Sequence, residues 1–258
     1  MKVRAYIFLL CMILPSGVLS AQKVIEESPS YSFESRFSAE IDKKIFHGAH
    51  LSLSEEIRMP GDAYTVSRSY TELGVSYKVS PYMRFAASYD LIAREHQDTG
   101  SKCYRIRHRG QFDVIGKYDA GAWRFSLRER IRATYNPADI NLYQSPHTLY
   151  ALCSRIKAEY MNPAWSWTPY TSVEIKNTLN NSRLKDGKYH YNDVYINRVR
   201  LALGAEWRLD KKNYLDFYTY WDYRYDKDLD ATRKGRLKSI TIREEYRLSL
   251  GIAYKFAL

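Results

Sequence analysis

Arg247-Leu248-Ser249-Leu250-Gly251-Ile252-Ala253-Tyr254-Lys255-Phe256, close to the C-terminus, is the run that decides the fold. Leu248, Leu250, Ile252, Tyr254 and Phe256 fall on one side, and Arg247, Ser249, Gly251, Ala253 and Lys255 on the other. A period of two with one oily face and one small or polar face marks a strand that separates two environments. One such run would fit any half-buried strand. Its weight comes from repetition, because about eleven segments of the chain share the design.

In chain order the alternating runs are Ser32 to Ile41, Ile45 to Met59, Ser69 to Val79, Tyr82 to Glu95, residues 105–114 and residues 123–133. Thr148 to Tyr160, Trp165 to Thr178, residues 198–208 and Tyr214 to Tyr225 follow before the closing run. Short turns at Asp42-Lys43-Lys44, Ser80-Pro81, Asp119-Ala120-Gly121, Asn162-Pro163 and Asp210 to Asn213 carry turn-forming residues. They alternate with longer polar stretches: the Pro60-Gly61-Asp62 loop, Glu95 to Lys102, Asn136 to Pro146, Leu179 to Asn192 and Asp226 to Lys238.

Composition limits the alternatives. The 258 residues include 24 Tyr and 5 Trp, and 45% hydrophobic with 27% charged residues excludes both a disordered chain and a bundle of membrane helices. The formal charge of +11 would suggest nucleic acid if it were clustered, but the basic residues are spread singly along alternating strands, so no nucleic-acid partner is expected. Residues 1–21 read as a Sec signal peptide, with Lys2 and Arg4 before an apolar core from Tyr6 to Leu14 and a small residue at Ser20 or Ala21. That core is too short to span a bilayer. Leu9 and Leu10 before Cys11 do not make a lipoprotein cleavage site, and Cys103 and Cys153 fall on non-adjacent strands and are expected to stay unbridged.

A secreted chain of this pattern is either a soluble β-sandwich or a closed membrane barrel. Aromatics flank nearly every short turn: Tyr77 and Tyr82, Tyr118 and Trp123, Tyr160 with Trp165 and Trp167, Trp207 and Tyr214, and finally Tyr254 and Phe256. Such a band is what a membrane interface selects. A sandwich has no reason to load its polar face with Arg and Glu, whereas a barrel lumen can ladder them across neighbouring strands. The expected fold is therefore an all-β, antiparallel transmembrane barrel over residues 22–258. Twelve strands are expected, with ten as the fallback, because single-chain bacterial barrels have an even number. Gln22 to Pro29 would supply a poor extra strand or thread the lumen. Leu179 to Asn192 and Asp226 to Lys238 would face the exterior, with the short turns toward the periplasm.

The chain resembles a family of uncharacterised outer-membrane barrels, a domain of unknown function typical of Bacteroidetes-like Gram-negative bacteria. The resemblance spans residues 31–258. It rests on Arg128-Glu129-Arg130-Ile131-Arg132, on Arg198 and Arg200, and on the pattern from Gly251 to Phe256; Phe33 stands where Trp is expected. It implies a barrel in the outer membrane and carries no catalytic residue. Gly251, Tyr254 and Phe256 also resemble the closing-strand signal by which such barrels are recognised, which implies the barrel-assembly machinery and outer-membrane lipid as partners.

Candidate function lies in the lumen. Arg105, Arg107, Arg109, Arg124, Arg128, Arg130 and Arg132 share the inward parity of two adjacent strands. Rings of arginine are how anion pores select, so small anionic solutes become candidate ligands. The bland alternative is a structural network in which they neutralise Glu34, Glu40, Glu72, Glu174 and Glu206, giving a non-conducting or docking barrel. A third option is a lipid-acting hydrolase built from His108, Glu129 and Ser154 on the outward parity of three consecutive strands. There the acid, not the His, holds the middle strand, which is the wrong order for acyl transfer. His47, His50, His96, His147 and His190 scatter without metal spacing, so no metal or cofactor is expected.

Overall fold

The computed structural model describes residues 23–61, 65–98, 101–138, 140–185 and 187–258. The expected signal peptide and Cys11 lie outside them. Twelve strands follow one another: β1 (Lys23–Glu26), β2 (Ser30–Phe46), β3 (Ala49–Pro60), β4 (Arg68–Ser80), β5 (Met83–Asp98), β6 (Ser101–Ala120), β7 (Trp123–Tyr135), β8 (Thr148–Tyr160), β9 (Trp167–Lys185), β10 (Lys188–Arg208), β11 (Asn213–Ala231) and β12 (Leu237–Ala257).

From β2 to β12 each strand pairs with its chain neighbour, and β12 closes on β2. The barrel proper thus has eleven strands, and the even count assumed from sequence does not hold for it. An up-and-down meander with an odd number of strands begins and ends in the same direction, so its closing pair must be parallel. Accordingly Glu245 to Ala257 runs parallel beside Ser30 to Asp42. β1 is the twelfth strand. It continues the same parallel edge, with Lys23 opposite Ser239 and Glu26 opposite Ile242, and the Glu27 N–H reaches the Ile242 carbonyl at 3.0 Å. Four steps from Glu26 to Ser30 face three from Ile242 to Glu245, and Pro29, which has no N–H to offer a ladder, sits in this bulge.

The two faces of the wall are inverted relative to a water-soluble domain. On β12, Leu248, Leu250 and Ile252 are 46%, 51% and 40% exposed, while Ser249 between them is fully buried. The same holds around the ring: Phe37, Leu53, Leu73, Phe112, Ile131, Ile156, Val173 and Leu203 stand on the outside, and Arg36, Asp90, Asp113, Glu174 and Asp222 are buried inside. An apolar surface that encircles the molecule far exceeds the patches soluble monomers expose.

The C-terminus and the short connections share one end. Asp210 shapes one of these turns, accepting the N–H groups of Lys212 and Asn213 at 2.7 and 2.8 Å and the Asn213 amide at 2.6 Å, and these bonds hold its carboxyl below the usual range. Gly121 takes φ +62° in the β6–β7 turn, a conformation an L side chain resists. The expected aromatic band is exposed at this end, with Trp167 stacked on Trp207 at 5.0 Å and Trp123 edge-on to Tyr160 at 5.2 Å. A second band rings the opposite end. There Tyr31 stacks on Tyr246 at 5.5 Å, Tyr223 meets Tyr246 at 5.3 Å, and His108 lies between Tyr89 and Tyr135. Tyr246 and Tyr254 are eight residues apart on β12, about 26 Å along the strand at 3.3 Å per residue.

Three of the expected long loops are largely strand: within Glu95 to Lys102, β5 runs to Asp98 and β6 starts at Ser101, and the two longest are similar. β9 runs on to Lys185 and β10 starts at Lys188, while β11 runs to Ala231 and β12 starts at Leu237. Their extensions are polar on both faces, so hydrophobic alternation cannot reveal them; backbone pairing holds them instead.

Candidate functional site

The inward side chains enclose a cavity of about 880 Å³. Eighteen Lys and Arg side chains line it against eight carboxylates. Four more carboxylates, Glu34, Asp90, Asp113 and Asp222, are sunk into the wall.

Strand pairing sorts these charges into rows. Across β8 to β12 the residues directly opposite one another are Arg155, Glu174, Arg200, Asp222 and Arg247, alternating in sign. Arg200 grips Asp222 with two bonds of 2.6 and 2.8 Å, and Arg224 and Arg36 lie 3.8 and 3.9 Å from the same carboxylate. Glu174 accepts from Arg128 at 2.6 Å and from Arg198. Arg247 bridges Glu245 at 2.6 Å and Glu34 at 3.0 Å. Such bidentate forks are the strong form of the arginine–carboxylate bond.

Across β2 to β6 the corresponding row is Arg36, Arg58, Arg68, Arg94 and Arg105, with no acid in it. Arg36 finds Glu34 at 2.7 Å and Arg58 finds Glu56, each two residues away on its own strand. Arg58 also stacks 4.1 Å over Tyr70. Arg68 hydrogen-bonds Tyr70, and neither Arg68 nor Arg94 pairs with a carboxylate among the described residues.

Of the seven arginines singled out from sequence, Arg107, Arg109, Arg128, Arg130 and Arg132 line the cavity. Arg109 is neutralised by Asp90 on β5, and Arg130 binds Asp113 with two 2.5 Å bonds. Among the described residues Arg132 bonds Gln111, at 3.0 Å, and no carboxylate, and the Arg107 Nε is buried without a partner. Arg124 lies near the turn end and pairs with Asp119 at 2.7 Å, while Arg105 stands exposed toward the other end; neither lines the cavity. The seven arginines of the β6–β7 pair therefore do not form one unpaired wall. The acids absent from that pair come from β5 and β9, and only closure shows which arginines they reach. Arg94 falls on the polar parity of its run, whereas Arg68, Arg155 and Lys176 are placed on the cavity by the structure, and nothing in one strand's pattern says what its neighbours place opposite.

Gly251, expected as part of an assembly signal, faces inward. A Cβ there would sit 2.1 Å from the Tyr218 ring, and Gly204 leaves the same space for Tyr170, 2.5 Å away. The two glycines let the tyrosines lie flat against the wall, with the Tyr170 hydroxyl donating to Asp216 at 2.9 Å. Tyr254 is 40% exposed within the turn-end band.

The segment between β7 and β8 crosses the loop-end mouth to the β11–β12 hairpin. The Asn141 amide donates to the Ala231 carbonyl at 2.7 Å and Gln144 to Asp230 at 2.7 Å. Tyr143 packs on Tyr189 at 5.0 Å, and Tyr191 bonds the Leu142 carbonyl. Gly235, at φ +81°, would bring any Cβ to 3.2 Å from the Tyr143 ring. Gln144 and Ser145 thereby roof the cavity.

The hydrolase constellation does not assemble. Ser154 and Glu129 are direct partners on the outer wall, joined at 2.6 Å, and the pairing runs through Glu129 without a bulge. His108 is six residues from Val114, the residue opposite Glu129, or about 20 Å along the strand. Its Nδ1 is 2.5 Å from the Tyr89 hydroxyl instead. Cys103 on β6 and Cys153 on β8 are not joined by a disulfide. Among the described residues no group of three His, Cys, Asp or Glu side chains could hold a metal ion.

Residues 34–233 match the model of a family described as "Protein of unknown function (DUF2490)". No curated protein is significantly similar to the chain. Among solved structures, an anion-selective porin from Comamonas acidovorans is similar over 83% of this chain, with 11% identity and a TM-score of 0.34. The match covers 57% of that porin's own length.

Proposed function

We propose that this chain, which belongs to the DUF2490 family of proteins of unknown function, is an outer-membrane barrel of a Gram-negative bacterium that forms a narrow, anion-preferring pore. Residues 1–21 act as its export signal, residues 22–258 form the barrel, and Gly251, Tyr254 and Phe256 present the closing strand to the assembly machinery. Bilayer lipid covers the apolar outer wall. The protein is not an enzyme on this proposal.

The observation that carries the proposal is the excess of basic over acidic side chains, eighteen lining the cavity against eight there and four more sunk into its wall. A wall of one sign within low-dielectric surroundings focuses its field on the lumen and concentrates ions of the opposite sign. Purified protein in a planar bilayer under a salt gradient is expected to reverse at a potential that favours anions. Arg107→Glu with Arg132→Glu, two arginines that bind no carboxylate among the described residues, is expected to move the reversal toward cations. An unchanged reversal would remove these side chains from the path.

The roof over the mouth favours a second reading, a barrel closed at rest that serves as a docking or structural element. Deleting residues 137–146 decides between them. A silent wild type with a conducting deletion variant supports the closed barrel, and equal conductance of the two supports the open pore.

A further inference from the structure

We infer that Arg68, Arg94 and Arg107 form a binding site for a doubly charged oxyanion of the phosphate class, set in the β4–β6 wall of the lumen. The inference rests on the anion-preferring reading of the cavity and adds to it a discrete, saturable site.

The three guanidiniums are brought together by pairing. Arg68 is directly opposite Arg94, Arg94 is opposite Arg105, and Arg107, two residues along, is its diagonal neighbour. Directly opposed side chains on adjacent strands start about 5 Å apart and diagonal ones about 7 to 8 Å, so the three heads can close on one small ion. Each is within repelling reach of the others. All three line the cavity; Arg68 hydrogen-bonds Tyr70, and none of the three pairs with a carboxylate among the described residues. The buried Arg107 Nε has no partner.

Like charges placed directly opposite destabilise a sheet. Elsewhere in this lumen the opposition is relieved by acids held in register, as at Asp222 and Glu174. Here the relief is left to a ligand. The ligand is an oxyanion and not a halide because guanidinium forks match tetrahedral or planar oxygens with paired bonds. The row that contains the site also rises toward the mouth. Arg36 stands ten residues from the turn end of β2 at Phe46, and Arg105 stands fifteen from that of β6 at Ala120. A captured anion would thus meet Arg105 first and the buried Arg36 last.

Isothermal titration of the full-length protein with inorganic phosphate, in lipid-free detergent at constant ionic strength, tests this. Saturable binding with a raised heat-unfolding midpoint is expected, and chloride should produce neither. Arg94→Gln with Arg107→Gln should weaken phosphate by about a hundredfold, at about tenfold or more per charge-assisted bond pair lost. Arg124→Gln, at the far end, should leave it unchanged. If the glutamine variant does not fold, Arg94→Lys with Arg107→Lys keeps the charge and loses the forks, and should still weaken phosphate at least about tenfold. Equal affinity in these variants, or equal stabilisation by chloride, overturns the site. Because the cluster opens to the lumen, the phosphate is a solute's and not a lipid's; stabilisation by phosphatidic acid vesicles without any by inorganic phosphate would also overturn it. Conductance is measured separately. A silent barrel that binds phosphate keeps the site and removes the pore, and an anion-preferring pore without saturable binding does the reverse.

Discussion

The wall built from β8 to β12 and the wall built from β2 to β6 both place arginine on the inward parity, and they differ in what stands opposite. The first alternates sign across the strands, Arg155, Glu174, Arg200, Asp222, Arg247; the second sets Arg36, Arg58, Arg68, Arg94 and Arg105 side by side. The same residue type therefore does opposite things. In the alternating wall Arg200 ties Asp222 and Arg247 ties Glu34, and removing either arginine strands a buried carboxylate. In the other, the upper arginines add to one another's field and meet no carboxylate among the described residues, although Arg68 hydrogen-bonds Tyr70.

The largest effect expected from this contrast falls on the strand that closes the alternating wall. Residues 252–257 pair with Phe37 to Asp42 across the parallel seam, so deleting residues 252–258 leaves two open edges. Such a chain is expected to lose the heat-modifiable band on gels entirely. A truncated chain that still shows the band would mean that the seam is not what closes the barrel.

Next comes Asp222→Ala. The carboxylate is fully buried and faces Arg200, Arg224 and Arg36, so its loss should cost about 3–5 kcal/mol, the usual penalty for breaking a buried pair from one side. Urea unfolding in vesicles measures it. Arg94→Ala in the other wall should be neutral or stabilising in phosphate-free buffer. If the two variants lose equal stability, the walls do not differ as described.

Gly251→Val sits where the two walls meet, opposite Arg36 on β2 and Tyr218 on β11. Overpacking against the Tyr218 ring should cost about 1–3 kcal/mol. Gly110→Ala, where nothing lies within 4 Å of the added carbon, is the matched control and should show no such loss. The smallest effect belongs to the rim. Glu40 and Lys255 pair at 3.0 Å with side chains 36% and 40% exposed, and Glu40→Gln should cost no more than about 1 kcal/mol. A larger loss would show that the rim is as dry as the lumen.

The sequence by itself determined the class of fold and the facing of each strand. Alternation is a local property of the backbone, so Leu248 and Ser249 or Ile131 and Arg132 are assigned to opposite faces without knowing any partner. The aromatic band near the turns was legible for the same reason. Where alternation stops carrying information, the sequence fell silent: Leu179 to Asn192 and Asp226 to Lys238 are wet on both sides, and their strands are fixed only by backbone pairing. The number of strands, the parallel seam and β1 as an extension of β2 depend on how the ends meet. Which arginines are tied and which are exposed to one another depends on pairing across the closed ring, since Arg200 meets Asp222 from twenty-two residues away and Arg128 meets Glu174 from forty-six. A charge's partner is set by the neighbouring strand's register, and register belongs to the tertiary structure.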